Sequence, residues 1–228
     1  MTRKAIIIAF VAGCAASIAP SAMAHDGDIG LRIENNRIFT GAVVETPQGS
    51  TAVGVRRVFG AEFKDFSGVP YADEPGLFAS PGTFPQSQLG FDILGPILKW
   101  DGAAFPAVPI PNETINIEFG PLSRTTPLSN IVVQGFGISV GPSGFDEHYD
   151  FYLNPPRGDG IYALSLRLWS DAPGVRESRP FHMIFNWNMS EPMHEAAVDW
   201  ARAHLVPAPA TSLALMLVAA ISARRRRV

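Results

Sequence analysis

Cysteine is nearly missing: the chain of 228 residues has only Cys14, in an apolar run near its start. From residue 25 to residue 206 there is no thiol, which excludes a disulfide framework, a thiolate metal centre and a cysteine nucleophile there. Positive charge is also scarce in that stretch. Of 18 Lys plus Arg, six lie near the two ends (Arg3, Lys4, Arg224, Arg225, Arg226, Arg227), leaving 12 against all 21 Asp plus Glu, a formal net charge of −9. Such a surface repels nucleic acid and anionic lipid and attracts metal cations, so no nucleic-acid partner is expected. Enzyme motifs are incomplete. Gly137-Ile138-Ser139-Val140-Gly141 fits G-x-S-x-G, but Gly141-Pro142-Ser143-Gly144 follows where a nucleophile elbow needs a helix. His194-Glu195 opens an H-E-x-x-H pattern that Val198 breaks, and no spacing singles out a carboxylate pair for glycoside hydrolysis. With no phosphate-binding glycine loop either, a non-catalytic protein is expected.

Long hydrophobic runs occur only at the ends, and both are short. Residues 1–24 read as a secretory signal peptide: Arg3 and Lys4, an apolar run over 5–19, then Pro20-Ser21-Ala22-Met23-Ala24 with a small-x-small cleavage site after Ala24. Cleavage by signal peptidase there makes His25 the amino terminus; Val11-Ala12-Gly13-Cys14 offers a rival, lipoprotein-type site. At the other end, Val206-Pro207-Ala208-Pro209 precedes an apolar stretch over 212–223 and then Arg224-Arg225-Arg226-Arg227. About twelve residues rise about 18 Å as a helix, short of the roughly 30 Å hydrocarbon core, so contact with the membrane is expected to be transient. This order of Pro-x-Pro, apolar segment and arginine cluster resembles the PEP-CTERM sorting signal of bacterial envelope proteins, with Ala208 where that family usually has Glu. The resemblance covers residues 206–228, with Pro207, Pro209 and the four arginines as the motif. It implies recognition by an exosortase and delivery to the outer envelope, cell surface or exopolysaccharide matrix of a Gram-negative-type bacterium.

Between these ends, residues 25–205 make one domain's worth of chain with a β pattern. Ile29, Leu31 and Ile33 alternate with polar or small neighbours, Asn35-Asn36 can turn, and an extended pattern resumes over 37–40, which predicts a hairpin. Further strands are expected over 53–59, 114–119, 131–140, 147–153, 161–169 and 181–187, separated by Gly and Pro clusters that break helices. One late helix is expected, capped by Ser190 with Pro192 in its first turn and Met193, Ala197, Trp200 and Ala201 on its inner face. His194 and His204 fall on that helix and read as exposed. The expected fold is all-β: an antiparallel β-sandwich with one short C-terminal helix before the sorting tail.

Candidate metal ligands follow from the histidines. If 147–153, 161–169 and 181–187 form a meander, His148 and His182 share one end of one face, about 10 Å apart by two strand spacings, and need a third ligand between them. An amino-terminal His25 could supply it through imidazole and α-amine together, the histidine brace that holds copper in some secreted β-sandwich proteins. Asp26 and Asp28 add oxygen donors, which favour zinc or calcium. His25, Asp26, Asp28, His148 and His182 are therefore the candidate ligands, with zinc or copper as the candidate ion. His25-Asp26-Gly27-Asp28-Ile29, His148-Tyr149-Asp150-Phe151, Gly160-Ile161-Tyr162 and 180–185 together resemble a group of bacterial surface-anchored domains with an early His-x-Asp-Ile motif. Here the His-to-Asp spacing is one residue longer. Some PEP-CTERM members of that group are associated with zinc-responsive regulation, which implies a metal-related role. The alternative is a carbohydrate-binding module of the exopolysaccharide layer, with Tyr152, Trp169 or Trp187 as stacking platforms.

Overall fold

A computed structural model describes residues 27–107 and 112–207. His25, Asp26, the leader, Pro209 and Arg224 to Arg227 lie outside the described residues, as does nearly all of the sorting tail. The strands in chain order are β1 Ile29–Glu34, β2 Arg37–Thr46, β3 Gly49–Val53, β4 Val58–Glu62, β5 Lys64–Phe66, β6 Val69–Ala72, β7 Leu77–Ala79 and β8 Ser87–Ile93. They continue with β9 Leu98–Lys99, β10 Ile115–Phe119, β11 Leu122–Thr125, β12 Val133–Val140, β13 Phe145–Glu147, β14 Asp150–Leu153, β15 Gly160–Ser170 and β16 Phe181–Trp187. The helix α1, Glu191–His204, closes the series. The fold is β-sandwich-like, and among the described residues no helix is long and apolar enough to cross a membrane.

Three sheets share the core. The first runs β13-β7-β1-β2-β3, the second β11-β10-β14-β6-β5, and the third β12-β8-β15-β16-β4, with β9 attached to β15. Alternation explains their assembly: Ile29 and Leu31, Ile115 and Ile117, Phe151 and Leu153 point inward from the first two sheets. They meet Phe91, Leu164, Leu166, Phe181, Met183 and Phe185 of the third in one apolar cluster. Phe151 packs on Phe185 with ring centroids 5.1 Å apart, so the second and third sheets face each other directly. Each fully buried Phe or Leu contributes about 1.5–3 kcal/mol. The opposite face of β15 and β16 carries Ile161, Ala163 and Ile184, and α1 covers it with Ala197, Val198 and Ala201.

The β1–β2 hairpin forms as expected, with Asn35 and Asn36 at φ +48° and +60°, the pair of left-handed residues a two-residue turn of this hand requires. Other expectations change. The stretch 53–59 is no single strand, because Gly54 (φ +62°) ends β3 and the chain re-enters the third sheet as β4. The stretch 147–153 divides into β13 and β14, which belong to different sheets, and His148 stands at the division. No meander therefore links β14, β15 and β16: β14 pairs with β10 and β6, whereas β15 pairs with β16. Most pairs are antiparallel, but β1 runs parallel to β7 and β16 parallel to β4. On α1 the inner face is His194, Ala197, Val198 and Ala201; Met193 is exposed, and Ser190 makes no side-chain capping bond.

Candidate metal centre

The parallel pairing of β1 with β7 builds the site. Ile29 N–H donates to the Gly76 carbonyl (2.9 Å), which pulls the start of β1 against the loop between β6 and β7. Asp28, one residue earlier, is then 1% exposed, and its Oδ1 accepts the Gly76 N–H at 2.9 Å. From the same loop, Glu74 Oε2 lies 3.3 Å from that N–H, and its carboxyl shares a hydrogen bond with Asp28. The break between β13 and β14 brings in His148. Its Nδ1 is 2.9 Å from the Asp73 carbonyl, an acceptor, so Nδ1 carries the proton and donates it. The other ring nitrogen, Nε2, lies 3.6 Å from Asp146 Oδ1.

Asp28, Glu74 and His148 each offer one ligand atom, and those atoms lie within 4.8 Å of one another. Gly76 sets the spacing. A Cβ there would stand 2.8 Å from His148 Cε1 and Nε2 and 3.0 Å from Asp28 Oδ1, inside van der Waals contact of both ligands. Electrostatics reflects the crowding of negative charge. Burial first, then the Asp28 carboxylate, push the Glu74 carboxyl above its ordinary range. Burial alone would depress the His148 imidazole, but the Asp73 carbonyl and the carboxylates of Glu74, Asp28 and Asp146 outweigh it and raise its pKa. Two close carboxylates favour positive charge beside them, which a protonated imidazole, a shared proton or a bound cation can supply.

Of the ligands expected from sequence, Asp28 and His148 are brought together; His25 and Asp26 lie outside the described residues. His182 is not at the site. It alternates with Phe181 and Met183 on β16 and so faces the α1 side of the third sheet, away from the shared core. Its Nδ1 pairs with Ser165 Oγ at 2.8 Å, and burial, helped by the Arg57 cation, pushes its pKa down to about 4, so it is neutral. His194, expected to be exposed, is 6% exposed: Nε2 lies 2.8 Å from the Ile184 carbonyl and Nδ1 2.8 Å from Glu62 Oε1. With Glu191 it forms a second carboxylate–imidazole cluster, beside a cleft of about 420 Å³.

Sequence reasoning missed Glu74 and Asp146. The run Asp73-Glu74-Pro75-Gly76 between two strands was a visible signal, since an acid before Pro-Gly marks a tight loop that presents its side chain. Among the aromatic candidates, Trp169 lies against Gly90 and Gly137 and Trp187 packs against the core, whereas Tyr152 stands on the outer face of the second sheet.

No protein-family model matches the chain, and no curated protein matches it. Among solved structures it is similar to the N-terminal domain of PorA, at 11% identity and a TM-score of 0.36, covering 71% of this chain and 98% of that chain, a likeness too slight to carry an argument.

Proposed function

We propose that the chain is an exported, non-catalytic protein of the bacterial envelope or extracellular matrix that holds one divalent metal ion between Asp28, Glu74 and His148. Asp146, whose Oδ1 lies 3.6 Å from His148 Nε2, adds negative charge beside that group. The observation that carries this reading is the approach of three ligand atoms to within 4.8 Å of one another around Gly76, from parts of the chain 46 and 74 residues apart. A His148 ring held through Nδ1–H by a backbone carbonyl presents Nε2 in the tautomer that metal-bound histidines use. One imidazole with two carboxylates suits zinc better than copper, which prefers more nitrogen. A copper brace would need His25 and a second histidine, and His148 is the one internal histidine near Asp28 among the described residues. Support for export comes from the signal-like residues 1–24 and the PEP-CTERM-like residues 206–228.

Calorimetric titration with zinc tests the metal. One equivalent binds, and binding is lost in His148→Ala and Asp28→Asn. Extending the chain by one residue before His25 leaves it unchanged; loss of binding on that extension alone would transfer the ion to a brace. Fractionation tests the address: intact chain found only in the cytosol would overturn export.

A further inference from the structure

Beyond the metal centre, the outer face of the second sheet carries an unassigned row of side chains. Strand alternation buries Pro70 and Ala72, Phe151 and Leu153, Ile115 and Ile117, and turns their neighbours outward. The registers align Lys64 with Tyr71, Tyr71 with Tyr152, Tyr152 with Asn116 and Asn116 with Thr125, one continuous line across all five strands. Tyr71 and Tyr152 in that line have ring centroids 5.2 Å apart, and Phe66, two residues along from Lys64, reaches Tyr71 diagonally at 5.6 Å, so three rings adjoin. Phe66, at the sheet edge, is 62% exposed. The polar half is organised. Tyr71 donates its hydroxyl proton to Asp150 at 2.8 Å, Asn116 donates to Glu118, and the Asn116 carbonyl accepts the Ser123 and Thr125 hydroxyls at 3.1 and 3.0 Å.

We infer that this row binds a neutral polysaccharide chain laid across the strands. Sugar rings present apolar C–H faces and rims of hydroxyls, and the row offers both complements side by side: aromatic rings to stack on, then carboxylate and amide groups to accept and donate hydrogen bonds. Rings with the same spacing could also stack nucleobases, but Asp150, Glu118 and Asp73 outnumber Lys64 on this face, and a phosphate or uronate polymer would meet like charge. An exposed Phe66 beside two half-buried tyrosines gives adjoining apolar ring faces with hydrogen-bonding groups on their flank.

Affinity electrophoresis of the full chain through gels cast with neutral polysaccharides (a β-glucan, an α-glucan and a galactomannan in turn) tests the inference. At least one retards the protein, and Phe66→Ala and Tyr152→Ala each weaken retention up to about tenfold, the scale of one lost ring contact. Ile131→Ala, at an exposed apolar position outside the row, leaves retention unchanged. Phe66 is exposed on an edge strand, so its variant folds and keeps the test decisive even where Tyr152→Ala does not, with a thermal melt as the check. Absence of retardation by all three polymers, retardation by anionic alginate alone, or equal retention of Phe66→Ala would overturn it.

Discussion

Two carboxylate–imidazole clusters in this molecule have similar composition and opposite organisation. Asp28, Glu74 and His148 gather around Gly76 from three distant parts of the chain; Glu62, Glu191 and His194 gather where the first turn of α1 meets β4. In the second cluster both imidazole nitrogens already face an oxygen at 2.8 Å, one of Ile184 and one of Glu62, and the ring clamps the helix onto the sheet. In the first, one nitrogen is held by the Asp73 carbonyl while the other stands 3.6 Å from Asp146, beyond hydrogen-bonding distance. Closeness of ligand types does not make a metal site. A candidate site also needs a donor that the fold does not already hold in a short hydrogen bond, and in that respect the two clusters differ.

The largest effect that sharpens this contrast comes from the histidine in neither cluster. His182 has its pKa lowered from 6.5 to about 4, by burial first. The unfolded chain binds this proton more readily than the native one, so the stabilisation is complete above pH 6.5 and is lost as pH falls towards 4. Acid titration of the chemical melt should show a loss of about 3 kcal/mol across that window, absent in His182→Gln. Next, zinc at a hundredfold excess over its dissociation constant should raise stability by about 2.7 kcal/mol, read as a thermal shift. His148→Ala and Gly76→Ala should abolish that shift, and His194→Ala should retain it; the reverse pattern would exchange the roles of the two clusters. In the absence of metal, His194→Ala should cost about 2 kcal/mol in urea melts, because it removes a buried hydrogen bond to the Ile184 carbonyl and a contact to the half-exposed Glu62. Arg202→Ala breaks an exposed pair with Asp199 beside the second cluster and should change stability by under about 0.5 kcal/mol.

Legibility in the sequence differed by element. Alternation marked β10, β15 and β16 closely, and Asn35-Asn36 marked the first hairpin, because period-two burial and left-handed turn residues are local properties. The helix was visible but its inner face was placed one residue off: α1 turns His194 inward, where the Ile184 carbonyl and Glu62 compensate a polar ring that composition alone assigns to the surface. The site was half legible. Asp28 and His148 stood out by residue type, whereas Glu74 reaches them only through the parallel pairing of β1 with β7, and no local pattern announces a parallel pair between strands 48 residues apart.

The sequence by itself determined the class of the fold, the acidic and thiol-free character of residues 25–206, and the two terminal segments that resemble export and sorting signals. These follow from composition and short-range periodicity, which need no partner to be read. Only the tertiary structure decided which histidine stands beside Asp28. His148 and His182 both sit on strand-rich segments, but one falls at a break between two sheets and the other under a helix on the far face of a third. Sheet order is set by packing summed over the whole core, so it is the one quantity that neighbouring residues along the chain do not encode.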